Sequence, residues 1–341
     1  MSAPNFAEKL SPKDFVSDQE VRWCPGCGDY SILKATERAL SEVGASKENT
    51  VFVSGIGCSS RFPYYLNTYG FHTIHGRAPA VATGVKLANP DLDVWVVTGD
   101  GDALSIGGNH ILHVLRRNVD LQILLLNNEI YALTKGQYSP TSRAGTRSPS
   151  TPMGSLENPI AAARFALGSG ARFVARSVET HQGRLLDMMK RAYHHKGTSF
   201  LEIYQNCVVY SEGVFADFTA KDVEDDRQIH VEHGKPMIFG RDRDRGIRIK
   251  PGTLVPEVVT IGEEGVKESD LIVHDETNRA LAMMLATMSR ADMPVALGVL
   301  YCDPNPCYEE RVTGQLYEAT AAHIKDDLNS LLRRGHTWEV E

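Results

Sequence analysis

The chain has 341 residues, a hydrophobic fraction of 42%, a charged fraction of 23% and a formal net charge of −7. This length allows one large α/β domain with an extension, or two domains, and the negative balance argues against a nucleic-acid partner, which needs excess Lys and Arg. No stretch approaches the roughly 18 apolar residues of a membrane span, and six cysteines are too few for a disulfide scaffold in a chain this long.

The N-terminus, MSAPNFAEKLSPKDF, mixes charges and has no apolar centre. No signal peptide is expected, and a cytoplasmic location is the default. RWCPGCGDY (22–30) follows, with Cys24 and Cys27 as a C-x-x-C motif. There is no second C-x-x-C to complete a zinc ribbon, so its purpose depends on the other cysteines.

From about residue 30 to 206, short apolar runs alternate with segments of helical period. Strands are expected at 50–57, 94–101, 122–129, 172–178 and 199–206. Each is apolar almost throughout, as suits a strand covered on both faces. SILKATERALSEV, APAVATGVKLAN, GGNHILHVLRRN, PIAAARFALGSG and HQGRLLDMMKRAYHHKG supply helices between them. This repetition predicts an α/β fold, a parallel sheet flanked by helices. Residues 136–158 form a Ser/Thr/Pro/Gly-rich loop carrying Arg143 and Arg147, of a length that is usually functional or mobile. Beyond about 218 the chain is more charged, with HDETNRALAMMLATMSR as its last expected helix.

The second strand runs into Gly99-Asp100-Gly101-Asp102, and the third ends in Asn127-Asn128. In a parallel sheet both ends lie on one edge, where ligands bind. A carboxylate, an amide oxygen and close backbone approach at glycine suit Mg²⁺ bridging a diphosphate. Either motif alone reads as a turn or a strand cap. Together, GDG, 25 residues and NN resemble the thiamine diphosphate signature.

Cys58 and Cys207 follow the first and last of these strands, at the same edge, and the CPGC loop can fold onto it. Four thiolates there would hold Zn²⁺ or an iron–sulfur cluster. Cys302 and Cys307 lie outside the sheet pattern; the alternative pairs them with Cys24 and Cys27 around structural zinc. Spacing alone favours zinc. The shared edge, with a redox-competent cofactor beside it, favours iron–sulfur.

CPGCGDY, GIGCSSRFPYY, GFHTIHGRAPAVATGVKLANP, GDGDALSIGGNH and NNEIYALTKGQYSPT occur in one order. Over about residues 20–215 the chain thereby resembles the β subunit of 2-oxoacid:ferredoxin oxidoreductases, most closely those acting on 2-oxoglutarate. The resemblance implies an N-terminal cluster-binding segment (1–29), a thiamine diphosphate-binding α/β domain (30–217) and a C-terminal extension (218–341) packing on the core or a partner. It further implies that Asp100, Asn128 and the Ile130 carbonyl hold Mg²⁺, and that Cys24, Cys27, Cys58 and Cys207 hold one [4Fe–4S] cluster. Ile56, Gly57, Cys58, Ser59, His75, Gly101, Asp102, Ala132, Leu133 and Thr134 would contact thiamine diphosphate, with His75, Leu133 and Lys135 as the catalytic set.

The implied reaction is coenzyme A-dependent oxidative decarboxylation of 2-oxoglutarate to succinyl-CoA and CO₂, reversible to reductive carboxylation, with electrons passing to ferredoxin. No pyrimidine-binding half is evident, so an α subunit is expected as partner. A cation is needed for the distal carboxylate of 2-oxoglutarate, and Lys135, Arg143 and Arg147 are candidates. The same chemistry on pyruvate or branched-chain 2-oxo acids, and a non-redox thiamine enzyme with structural zinc, are the alternatives.

Overall fold

The computed structural model describes residues 10–288, 292–323 and 327–340. Residues 1–9, on which most of the N-terminal reading rests, lie outside it.

Five strands form where the apolar runs place them: β1 Thr50–Ser54, β3 Asp93–Gly99, β4 Gln122–Asn127, β7 Phe173–Val178 and β8 Ser199–Tyr204. Strand β2 Tyr69–His72 is an addition that the sequence did not announce. It is exposed along its length, so it lacks the apolar run that marks a covered strand. A short hairpin, β5 Ile130–Tyr131 and β6 Gln137–Tyr138, follows β4. Downstream come β9 Gln228–Val231, an antiparallel trio (β10 Ile238–Phe239, β11 Arg245–Ile249, β12 Pro256–Thr260) and β13 Val295–Cys302.

The main sheet has eight strands in the order β2-β1-β3-β4-β8-β7-β13-β9. The first six are mutually parallel, and β13 joins β7 antiparallel. The region after 218 therefore completes the central sheet as well as extending it.

Side-chain alternation builds two cores. Val51, Val53, Val94, Val96, Ile123 and Leu125 face one side, against α3 Ala78–Ala88, α5 Gly108–Arg117, α6 Ala162–Gly168 and α10 Arg279–Thr287. Phe52, Trp95, Val97, Leu124, Leu126 and Leu201 face the other, against α1 Asp29–Val43 and α7 Gln182–His194. Trp95 is fully buried and stacks on Phe52 with centroids 5.7 Å apart. Removing such a ring costs about 3–5 kcal/mol. Each strand is apolar at every step because both its faces are covered.

Two expectations need correction. Cys302 is not outside the sheet: it ends β13, opposite Phe173 at the start of β7, so it stands at the far edge from Cys58 and Cys207. Nor is the helix within 274–290 the last. It spans only Arg279–Thr287, and α11 Tyr308–His323 and α12 Leu328–Leu332 follow; positions 289 and 290 lie outside the described residues. No described helix is long and apolar enough to cross a membrane.

Candidate active site and cluster-binding edge

Pairing sets Ser54 beside Val97, Gly99 beside Leu126 and Asn127 beside Tyr204. The segments leaving β1, β3, β4 and β8 thus emerge side by side on one edge. They surround a cavity of about 600 Å³. Its wall contains Ile56, Gly57, Cys58, Ser59, His75, Asp100, Gly101, Asp102, Asn128, Ile130, Ala132, Leu133 and Thr134. A cavity this size suits a cofactor of thiamine diphosphate's bulk.

Glycines make the close approaches possible. A Cβ on Gly55 would run into the Asp102 carboxylate, and one on Gly101 into the Tyr131 ring. A short helical turn at Asp100–Leu104 ends before α5, the helix expected over GGNHILHVLRRN, begins at Gly108. At the break, Gly107 lies so near Gly76 that neither has room for a side chain.

Asp102 is buried with both oxygens engaged. Oδ1 accepts from Ile56 N (3.0 Å), Gly76 N (2.7 Å) and His75 Nδ1 (2.7 Å), and Oδ2 accepts from Thr98 Oγ1 (2.7 Å). Its carboxylate locks the β1 and HGRA turns against β3. With Nδ1–H donated, His75 keeps Nε2 as its second ring nitrogen.

Asp100 is also buried, and its Oδ2 accepts from the Ser139 and Thr141 hydroxyls, each at 2.5 Å. Burial, partly offset by those two bonds, pushes its carboxyl up to about 6. Oδ1 is not engaged by those bonds, the arrangement a cation ligand needs. The Asn128 amide donates to Gln205 Oε1 (2.9 Å), and its Oδ1 accepts from Ile130 N (3.2 Å) with one lone pair to spare. This donor set fits Mg²⁺.

The four cysteine segments are tied to one another. The Trp23 indole donates to the Cys58 carbonyl (2.8 Å), docking the CPGC loop beside β1. Gly28 N donates to the Asn206 carbonyl (3.3 Å), docking it beside β8. Burial, followed by the charges of Asp29, Cys207 and Cys24, pushes the Cys58 thiol up to about 12. Cys27 is raised too, first by burial and then by Asp29. Thiolates here need a positive centre among them.

Their spacing bears on which centre. Tetrahedral zinc with bonds of about 2.3 Å would draw its sulfurs to about 3.8 Å apart. Among the described residues, the one group of three metal-ligating types with donor atoms within 4.8 Å of one another is Asp120, Cys307 and Glu309. No three of the four cysteine sulfurs Cys24, Cys27, Cys58 and Cys207 lie within 4.8 Å of one another. Cys307 sits with that acidic pair, and Cys302 at the opposite edge, so neither can complete a site with Cys24 and Cys27.

None of the three candidate cations lines the cavity itself. Lys135 occupies the exposed hairpin turn at φ +75°, one residue beyond cavity-lining Thr134. Arg143 lines a neighbouring cavity of about 700 Å³, where it pairs with Glu129 and Asp217, both at 3.3 Å. Arg147 is exposed and lines neither cavity.

Several residues escaped the sequence reading. Asp29, inside the quoted CPGCGDY, lines the cavity; burial and then the Glu179 charge push its carboxyl up to about 7. Ser139 and Thr141 lie in the loop flagged for its length, yet nothing in their spacing points to Asp100. Gln205, next to a strand end, carried no signal at all.

Comparison with known proteins bears on the fold and the family. Residues 55–203 match the family model for the C-terminal TPP-binding domain of thiamine pyrophosphate enzymes. The chain is 48% identical to the 2-oxoglutarate oxidoreductase subunit KorB of Mycobacterium tuberculosis, over 99% of this chain and 91% of that one. It is 44% identical to the 2-oxoglutarate synthase subunit KorB of Methanothermobacter thermautotrophicus, over 55% of this chain and 66% of that one. Among solved structures it resembles a 2-oxoglutarate:ferredoxin oxidoreductase from Magnetococcus marinus, with 2-oxoglutarate, coenzyme A and succinyl-CoA bound. That match has a TM-score of 0.77 and 32% identity, and covers 98% of each chain.

Proposed function

Since this chain belongs to the β subunits of the 2-oxoacid:ferredoxin oxidoreductases, we propose that its substrate is 2-oxoglutarate and that it carries both the thiamine diphosphate site and a [4Fe–4S] cluster. The substrate assignment is supported by the names of the similar M. tuberculosis and Methanothermobacter subunits and by the ligands of the similar Magnetococcus structure. The cluster assignment is supported above all by one observation: four cysteine-bearing segments converge on the sheet edge that presents Asp100 and Asn128.

In this reading Asp100 Oδ1, Asn128 Oδ1 and the Ile130 carbonyl bind Mg²⁺, while Ile56 to Ser59, Gly101 and Asp102 shape the diphosphate cradle. When bound, thiamine diphosphate supplies the carbon nucleophile and the electron sink for decarboxylation. His75, oriented by Asp102, presents Nε2 to the cavity as a hydrogen-bonding group. Leu133 and Ala132 give the cavity an apolar wall. Cys24, Cys27, Cys58 and Cys207 would hold the cluster beside it, and the cluster would supply one-electron transfer toward ferredoxin. Coenzyme A would take the succinyl group as CO₂ leaves. An α subunit supplies the second half of the cofactor site, and the complex works in the cytoplasm.

The test is the iron, acid-labile sulfide and thiamine content of the complex with its α partner, purified anaerobically. About four iron and four sulfide per β chain are expected from a cubane cluster. A Cys207→Ser complex should lose iron while binding thiamine diphosphate. One zinc without sulfide would overturn the reading.

A further inference from the structure

We propose that Gln205 is a positioning residue serving both cofactors at once, through the two ends of one side-chain amide. The inference rests on the functional reading above and adds to it a coupling between the metal ligand Asn128 and the cluster ligand Cys27.

Gln205 is the first residue after β8 and is only 1% exposed. Its backbone N–H donates to the Asn127 carbonyl (2.9 Å), which fixes its place between β4 and β8. Its Nε2 donates to the Asn206 carbonyl (2.7 Å) and reaches Cys27 Sγ (3.3 Å). Its Oε1 accepts from Asn128 Nδ2 (2.9 Å).

The orientation of this chain of amides is determined. A backbone carbonyl can only accept, so the Gln205 atom facing Asn206 must be the NH₂ group. Oε1 then faces Asn128, which must donate its own NH₂. Asn128 Oδ1 is thereby turned away from Gln205 toward Ile130 N (3.2 Å), with its second lone pair left for a cation. A flipped Asn128 would offer that cation N–H groups, which cannot ligate.

At the other end, the second N–H of the same amide faces the Cys27 sulfur. Hydrogen bonds to cluster sulfurs spread the added negative charge of the reduced state and raise the reduction potential. The contact is held tightly: a Cβ on Gly28 would meet Gln205 Cγ at 2.9 Å and Glu179 Cδ at 2.7 Å. Gly28 allows the CPGC loop to pack down onto Gln205.

Two substitutions in the anaerobic complex with its α partner separate the roles. Gln205→Met keeps the length and adds no charge but removes both polar ends. Gln205→Glu keeps an acceptor for Asn128 and removes the donor to Cys27. The readouts are the cluster midpoint potential, from an EPR-monitored redox titration, and Mg²⁺-dependent thiamine diphosphate binding followed by tryptophan fluorescence.

Gln205→Met should lower the potential and weaken cofactor binding by about tenfold, the scale of outer-sphere substitutions at metal sites. Gln205→Glu should lower the potential and leave the affinity unchanged. If either variant keeps the wild-type potential, or Gln205→Glu weakens cofactor binding as much as Gln205→Met, the inference is overturned. Should Gln205→Met not fold, Gln205→Leu, which also adds no charge, takes its place, because the carboxylate of Gln205→Glu lowers the potential by its charge alone. A wild-type complex without iron or thiamine diphosphate would overturn the functional reading and this inference with it; cofactors present with unaltered variants would overturn only the inference.

Discussion

Asp100 shows how two side-chain hydroxyls orient one buried carboxylate. Two hydroxyls, from residues 39 and 41 positions downstream, occupy Oδ2 and hold the plane of the group. Lys135 is the opposite case, exposed on a turn with its backbone at positive φ. A lysine at the cavity rim can reach a distal carboxylate without being buried, which avoids the desolvation that an interior cation would suffer. Lys135→Ala should therefore raise KM for 2-oxoglutarate much more than for pyruvate, measured on the intact complex. Equal changes would assign Lys135 to another task, and the ion pairs of Arg143 leave it poorly placed to substitute. Asp100, Asn128 and the cysteines were legible because strand ends in a parallel sheet share an edge. Ser139, Thr141 and Gln205 were not, because each acts through a contact that only tertiary folding creates.

Among the elements, the N-terminal loop carries the largest consequence. Its position depends on Trp23, which packs edge-on against Tyr65 and Tyr30 and donates to the Cys58 carbonyl. Trp23→Phe keeps an aromatic ring there and loses the donor. A stable protein is expected whose iron content falls while thiamine diphosphate binding persists, read by iron analysis and fluorescence on one preparation. Parallel loss of both would mean that the loop supports the whole edge and not the cluster alone. The strands and long helices were legible from their apolar periods. The break between Leu104 and Gly108 was not, since it depends on two glycine backbones meeting across 31 residues of sequence.

For the whole molecule, the late strands β9 and β13 bind the C-terminal region into the central sheet, a role hidden by their separation from it in sequence. Two histidines associated with them give the fold a pH dependence. Burial, ahead of other causes, lowers His195 to about 4; burial, then Arg184 and His181, lowers His230 to about 3. Both remain neutral in the folded chain while the unfolded chain gains protons below about 6.5. Stability is thus fully present above about 6.5 and is lost as pH falls through the window toward 4 and 3. Tm should drop between about pH 7.5 and pH 5, and His230→Gln should flatten that drop; an unchanged slope would exclude His230 as a contributor.

The proposed function requires electrons to flow between two sites on one sheet edge, which the visible absorbance of the anaerobic complex with its α partner reports when 2-oxoglutarate and coenzyme A are added. Bleaching of the iron–sulfur absorbance is expected, and pyruvate should not produce it. An unbleached spectrum with every 2-oxo acid, in a complex holding both iron and thiamine diphosphate, would contradict it.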